Sequence, residues 1–445
     1  MVILWTDALI FLLLGLMLVL GLYLHQKEYM KRPLQQIGRS KVAMVSLVVL
    51  FFFMLVGLLD SVHFKSAKSN DIVSLLDVWA TPLREQGEKT YSAPFAVYLY
   101  SKEMMTQADG TQQWGYPRLQ FGGAHLTDPE AQQTSDITEK ALYGFAQGAG
   151  LVIFFLFLLW SVLLEQHKPF MNSSSAKAAW AMVFLIVSVN YALIYLSGYY
   201  HVFGTDKVGE DVFYQAIKSI RTGLVIGTLT TLIMLPMAII FGILAGFFRG
   251  WVDDVIQYVY TTLNSIPSVL LIAASILMVQ VYMANHEEAY TSVIVRADMR
   301  LLFLCLILGV TSWTGLCRLL RAETLKLREM EYVQAAQALG VRRRVILLRH
   351  ILPNVMHIVL ISVVLDFSSL VLAEAVLSYI NIGVDPTTYS WGNMINGARL
   401  EMAREPIVWW SLSAAFVFMF ALVLAANLFA DTVRDAFDPR RGGYE

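Results

Sequence analysis

"EYVQAAQALGVRRRVILLRHILPNV", Glu331 to Val355, is a polar, helix-forming and basic stretch set between two long apolar runs. Its first arm is rich in Ala, Glu, Gln and Leu, the strong helix formers. Gly340 then stands where a helix needs a left-handed residue to close its C-terminal end. A second short basic helix, "RRRVILLRHIL", follows, and Pro353 suits the first turn of the apolar helix beyond it, where its missing amide hydrogen costs nothing. Val333, Ala336 and Gly340 recur at helical spacing, so the first arm has a small-residue face open to close approach by another surface. The stretch therefore predicts a helix, turn, helix projection. From the residues alone it reads either as a hairpin that docks on a protein or as an amphipathic loop helix on lipid headgroups, where Arg342, Arg343 and Arg344 would meet anionic lipid.

The surroundings decide what solvent this hairpin stands in. The chain has 445 residues, 57% of them hydrophobic and only 15% charged, a balance typical of an integral membrane protein. Net charge is −1, which gives no global argument for a nucleic-acid partner. Cys305 and Cys317 lie in one apolar run about three helical turns apart, too far to bridge, and read as packing residues.

Apolar runs of roughly 18 or more residues read as spanning helices. They fall at about 3 to 24, 42 to 61, 143 to 164, 178 to 198, 221 to 248, 255 to 283, 300 to 318, 354 to 378 and 407 to 430. The first is read as a retained helix rather than a signal peptide, because "MVILWTD" lacks Lys and Arg while the basic segment "HQKEYMKRPLQQIGRSK" follows it. That places the N-terminus outside the cell. Counting sides from there puts 25 to 41, 165 to 177, 249 to 254, 319 to 353 and 431 to 445 in the cytoplasm. The segment from Arg318 to His350, "RLLRAETLKLREMEYVQAAQALGVRRRVILLRH", carries eight Lys or Arg against three Glu, as a cytoplasmic segment should. The polar insertion after the second span, with clusters such as "EKTYSAPFAVYLYSKEMM" and "QQWGYPRLQFGGAHL", predicts a small extracytoplasmic domain of undecided secondary structure, its aromatics supplying a modest core.

Several chemistries have no signature. "GTDKVGED" lacks the spacing and the Gly-Lys-Ser/Thr ending of a phosphate-binding loop, so nucleotide hydrolysis is not expected of this chain. The eight His show neither His-x-x-x-His nor Cys-x-x-Cys spacing, so no metal site is expected. No Gly-x-Ser-x-Gly elbow occurs, and no catalytic residue is assigned.

"EYVQAAQALG" followed by "ILLRHILPN" resembles the EAA loop of ABC transporter permeases, in the form used by the oligopeptide and dipeptide importers. "FGTDKVGEDVF", "GILAGFFRGWVDDVI", "LAEAVLSYINIGV", "SWGNM" and "FADTVRDAFDPR" resemble the same subunit, the C-type partner of the permease pair, over roughly residues 178 to 441. The apolar runs give an all-α polytopic membrane protein of about nine transmembrane helices; the resemblance implies a six-helix type I importer core among them, and the first three spans and the small extracytoplasmic domain have no counterpart in that core. The chain then divides into 1–61, two helices and a basic loop; 62–141, the insertion; 142–177, the third helix and a loop; 178–430, the core with its coupling loop at 321–353; and a tail, 431–445. By resemblance, Glu331, Tyr332, Ala335, Ala336, Gly340, His350, Leu352 and Pro353 insert into a groove on a separate ATPase. The implied partners are two cytoplasmic ATPase subunits or domains that carry ATP and Mg, a second homologous permease, an extracytoplasmic solute-binding protein and membrane lipid. The implied place is a bacterial cytoplasmic membrane. The same parts would also serve an exporter or a peptide-sensing permease.

Two positions depart from the family pattern: Glu210 where Arg is usual, and Asn381 where Gly is more frequent. Asp366 and Glu374, at membrane depth, read either as lining for a solute path or gate or as structural hydrogen-bonding groups. "SWGNM" around Trp391 reads as a segment that caps or re-enters near the outer face, with Trp391 and Asn393 in the path or gate, or Trp391 as an interfacial anchor. Pro236 and Pro267 kink the fifth and sixth spans and are read as hinges or as static bends. Gly223/Gly227 and Gly242/Gly246 permit close helix contact.

Overall fold

The computed structural model describes residues 4–25, 28–65, 72–106, 112–162, 173–286, 288 and 292–437. The expected loop at 165 to 177 as far as Asn172, and the tail from Asp438 onward, lie outside the described residues. Sixteen helices are described here in chain order: α1 (Trp5–His25), α2 (Glu28–Arg39), α3 (Lys41–Asp60), α4 (Leu75–Trp79), α5 (Thr81–Glu85), α6 (Pro129–Val162), α7 (Ser174–Ser197), α8 (Val212–Phe248), α9 (Trp251–Ser265), α10 (Ser268–Ala284), α11 (Val293–Arg328), α12 (Glu331–Ala338), α13 (Arg343–Ile346), α14 (Leu352–Tyr379), α15 (Trp391–Glu401) and α16 (Trp410–Phe437). Two antiparallel hairpins stand between α3 and α6: β1 (His63–Lys65) with β2 (Ile72–Ser74), and β3 (Glu103–Thr106) with β4 (Gln112–Gly115).

Over the described residues, eight of the nine apolar runs each lie mainly in one helix, and the sixth is divided between two. Among the described residues six helices are long and apolar enough to cross a membrane, namely α3, α6, α7, α8, the continuous helix Arg343–Tyr379 and α16; α9 with α10 is a seventh if that bent pair counts as one span. The apolar part of α1 covers Trp5–Val19, and the seventh run lies within the 36-residue α11. The sixth run is not one kinked helix. Ile266 is extended (φ −92°, ψ 130°) ahead of Pro267, and α9 and α10 meet at 87°. A residue before proline avoids the helical region and proline donates no hydrogen bond, so the two effects together end one helix and start another. Pro236, by contrast, lies inside an uninterrupted α8.

The contacts divide the chain into two units. One comprises Gly38–Thr222 and Tyr389–Ala425. In it α6 lies on α7 with backbones almost touching: a Cβ on Gly144 would stand 2.8 Å from Ala192 Cα, and one on Gly148 2.7 Å from Ser188 Cα. Only glycine allows that approach. The core of the inserted segment is Val97, Leu126, Leu196, Tyr200 and Val202, drawn partly from α7 and the turn after it. Of the aromatics expected to supply a core, Tyr91 is buried and Phe95 packs on Tyr200, whereas Trp114, Tyr116 and Tyr98 are exposed.

Buried charged groups also tie this unit together. Ser74 and Asp77 form a capping box at the start of α4. Lys218 Nζ reaches Asp60 (2.6 Å) and Asp77 (2.8 Å), and the Tyr214 hydroxyl donates to Asp77 (2.7 Å). Burial raises the Asp77 pKa, but the Lys218 charge and its hydrogen bond outweigh it and hold the carboxyl below the usual range. Glu88 accepts the backbone amides of Gln120, Phe121 and Gly122 and faces His201, whose other ring nitrogen lies 2.8 Å from Asp211. Burial disfavours the charged imidazole, yet the two carboxylates overcome it and bring the His201 pKa up to about 9. Asp211 also accepts the amides of Phe213 and Tyr214, capping α8. In "FGTDKVGEDVF", Gly204 (φ 71°) and Gly209 (φ 81°) are required, since a Cβ at Gly209 would lie 1.7 Å from the Glu88 carbonyl oxygen.

The other unit comprises Ile3–Ile37, Gly223–Thr388 and Ala426–Glu445. Here α8 packs on α11 through Gly242 and Gly246, whose added Cβ atoms would meet Leu320 and Thr324 at 2.8 and 2.6 Å. Cys305 and Cys317 are buried free thiols. Asp253 of α9 and Arg321 of α11 form a two-pronged ion pair at 2.6 and 2.7 Å. The N-terminus of α1 is capped from far along the chain: Asp298 accepts the amides of Trp5 (3.0 Å) and Thr6 (3.3 Å) and the Thr6 hydroxyl. Leu9 and Ile10 then pack against a core that includes Val225, Leu301, Leu304 and Cys305.

Candidate functional site: a helical hairpin fused to a long apolar helix

The hairpin forms as its residues dictate. Gly340 adopts φ 73°, its amide donates to Gln337 O and the Val341 amide to Ala336 O, the two bonds of a Schellman closure. Glu331 opens α12, where a carboxylate favours the positive end of the helix. The second arm departs from expectation. Instead of a separate basic helix followed by a fresh start at Pro353, residues Arg343–Tyr379 run on as one helix with a π-helical turn at Leu347–Ile351. The Leu352 amide donates to Leu347 O, five residues back. This wider turn precedes Pro353, which cannot donate a hydrogen bond of its own, so the hairpin and α14 are continuous.

The small-residue face points the other way from the sequence expectation. Val333 (0% exposed) and Ala336 (8%) are packed inward with Ile346, Ile351 and Val355 on Phe247, Trp313 and Leu320. Helical spacing identifies the apolar side of α12, and the chain's own α8 and α11 are there to cover it. Exposed are Glu331, Tyr332, Gln334, Ala335, Gln337 and Leu339 on the first arm and Arg342, Arg343, Arg344, Val345, Leu348 and Arg349 on the second; Leu339 is 83% and Leu348 66% exposed. Tyr332 and His350 come together, with ring centres 6.2 Å apart, and Asn354 joins them, donating to the Tyr332 hydroxyl (3.2 Å) and the His350 carbonyl (2.6 Å). Asn354 was in the quoted motif but not among the residues singled out. Leu352 is half-buried, Pro353 is exposed, and Arg249 fixes the base of the hairpin through Glu329 at 2.6 Å.

The other candidates are scattered. Asp366 is half-buried on α14. Glu374, two turns further on, is buried (2% exposed) and accepts the Ser378 hydroxyl at 2.7 Å. Trp391 and Asn393 belong to the other unit. Trp391 is no interfacial anchor: it is buried, edge-on to Phe53, and donates its indole N–H to Ala216 O at 3.1 Å. Ser390 of the same motif caps α15, its hydroxyl oxygen accepting the Asn393 amide at 3.0 Å. Of the two departures from the family pattern, Asn381 is explained by its backbone. It sits at φ 62° with bonds to Ser378 O and, through Ile382, to Leu377 O, a second Schellman closure in which Asn is the best substitute for glycine. Glu210 shares the Gln215 amide with Asp206, and burial and that neighbouring charge push its carboxyl up.

Comparison with known proteins matches these features to a family. The model of the binding-protein-dependent transport system inner membrane component family matches residues 238–443, which contain the hairpin and all of α14. The oligopeptide transport system permease protein OppC of Mycobacterium tuberculosis H37Rv is 32% identical over 248 residues, 56% of this chain and 79% of that protein. The glutathione transport system permease protein GsiD of Pectobacterium atrosepticum is 28% identical over 293 residues, 62% of this chain and 90% of that protein. The dipeptide transport system permease protein DppC of Lactococcus lactis is 31% identical over 240 residues, and the chain spans 64% of its length. The hairpin, its continuity with a long apolar helix and these matches together make the chain a member of the binding-protein-dependent transport system inner membrane component family, the permeases of ABC transporters.

Proposed function

We propose that the chain is one membrane-spanning subunit of an ATP-driven importer for peptides or related small solutes in a bacterial cytoplasmic membrane, with its N-terminus outside and its C-terminus in the cytoplasm. The observation that carries this reading is the hairpin. Its inner face is fixed to α8 and α11, its outer face exposes Leu339 and Leu348 among charged and polar residues, and its second arm continues into α14. A force applied at Leu339 or Leu348 is therefore delivered to a long helix rather than absorbed in a loop.

On this reading Glu331, Tyr332, Ala335, Gly340, His350, Leu352 and Pro353 present or support the surface that meets a separate ATPase carrying ATP and Mg, while Ala336 holds that surface from behind. A second permease completes the pathway, and an extracytoplasmic solute-binding protein delivers cargo to the outer side, where the 62–141 segment stands. Asp366 and Glu374 on α14, with Trp391 and Asn393, belong to the path or its gate. Pro267, at an 87° break, is the hinge candidate with structural support, and Pro236 is the weaker of the two. The relatives' names supply the cargo class. Uptake of a labelled tripeptide by cells with and without the chain tests it: the proposal expects uptake to be lost on deletion and restored by the intact chain. Unchanged uptake of peptides, or loss of peptide efflux instead, overturns it.

A further inference from the structure

A cavity of about 280 Å³ opens behind the hairpin, lined by Phe247 and Phe248 from the end of α8, Arg328 from the end of α11, and Gln337, Val341, Arg343 and Ile346 from the hairpin itself. Its lining contains two guanidinium groups and an amide but no carboxylate. Arg328 spends one N–H on the Phe247 carbonyl (2.9 Å), an anchor that holds its fork in place. Arg343 lies over the Phe248 ring at 5.7 Å. The nearby Glu329 is engaged by Arg249 at 2.6 Å. The cavity thus places two guanidinium groups directly beside the aromatic residues at the end of α8.

We propose that this cavity binds the phosphate of an anionic phospholipid headgroup from the cytoplasmic leaflet. Planar guanidinium forks match phosphate oxygens two at a time, and Phe248 and Val341, which keep accessible apolar surface, border them for the glycerol and first methylenes, while Phe247 and Ile346 form the buried floor. The depth fits. The apolar run of α8 ends at Phe248, and the highly exposed Trp251 follows, the residue type that marks a membrane–water boundary. Basic pockets at this level between spanning helices take headgroups. Bound lipid would wedge the hairpin arm carrying Arg343 against the end of α8. The inference rests on the cytoplasmic placement of this end, and not on ATPase coupling.

The test is native mass spectrometry of the purified full chain in detergent, with equimolar palmitoyl-oleoyl phosphatidylglycerol and phosphatidylcholine. Arg343→Gln removes a cavity guanidinium; Arg344→Gln removes the same charge one residue away from the cavity. The expected result is selective retention of phosphatidylglycerol, weakened about tenfold by Arg343→Gln for the loss of a charge-assisted contact and unchanged by Arg344→Gln. Equal retention of both lipids, or equal loss in both variants, overturns the proposal. Displacement of the lipid by millimolar inorganic phosphate makes the ligand a soluble phosphate and overturns the lipid assignment. Because the isolated chain is used, failure of any ATPase to bind leaves the outcome unaffected.

Discussion

Substitution at Gly340 separates backbone strain from side-chain contact. The residue sits at φ 73°, where an L side chain is unfavourable by about 1 kcal/mol or a little more. Nothing lies within 4 Å of a Cβ built there, so Gly340→Ala costs torsional strain alone. Local opening of the hairpin should then rise about fivefold, the factor that 1 kcal/mol represents. Gly340→Asn should recover most of the loss, as Asn381 already closes α14 in the same conformation. Gly340→Val should be worse than Ala, since β-branched residues tolerate positive φ least. Gly340→Pro, confined near φ −65°, should abolish the closure and expose Val333 and Ala336. Hydrogen exchange of the hairpin amides in detergent measures each step. Asn no better than Ala, or Val as protected as glycine, would refute the claim that φ at this position is what matters.

His201 carries a pH signature. Its pKa is raised in the folded chain to about 9, so its contribution, at most about 3 kcal/mol, is complete below about pH 6.5 and is lost as pH rises through 9. His201→Gln should lower the thermal midpoint at pH 6 much more than at pH 9.5; an equal loss at both would place its role in packing. Gly148→Val forces α6 off Ser188 of α7 and should destabilise by about 1–3 kcal/mol in thermal unfolding, while Gly150→Val, with no neighbour within 4 Å, should cost far less. Asp298→Ala removes the cap on α1 and should cost about 1–2 kcal/mol, read as faster labelling of a cysteine placed at Trp5; unchanged labelling would mean that α1 is held without it.

Local rules were readable from sequence because their causes are local. The Schellman glycine, the apolar run of each spanning helix and the Gly242/Gly246 contact all follow from spacing along one helix. The Gly144/Gly148 pair carried the same small-residue spacing and could have been found by it. Partners were not legible. Helical spacing grouped Val333 with Ala336 but could not say that α8 and α11 would cover that face, leaving Leu339 outside. The cap that Asp298 places on Thr6 spans 292 residues, beyond any window. The alternative that makes Trp391 an anchor rests on tryptophan's preference for interfaces; burial against Phe53 and Ala216 is a tertiary fact. The π-turn at Leu347–Ile351 arises from a proline whose effect is felt one turn earlier.

The outer face of the hairpin is the surface proposed to meet an ATPase. The direct measurement is affinity purification of the tagged chain in mild detergent, identifying co-eluting chains and their ATP hydrolysis, for intact protein, Leu339→Asp and Val333→Ala. Leu339 is exposed, so its substitution leaves folding intact, whereas Val333 is fully buried. The account predicts an ATP-hydrolysing partner with intact protein, lost with Leu339→Asp and retained in proportion to folded material with Val333→Ala. An intact, folded chain that brings down no ATPase, or a partner that binds Leu339→Asp as well, would contradict it.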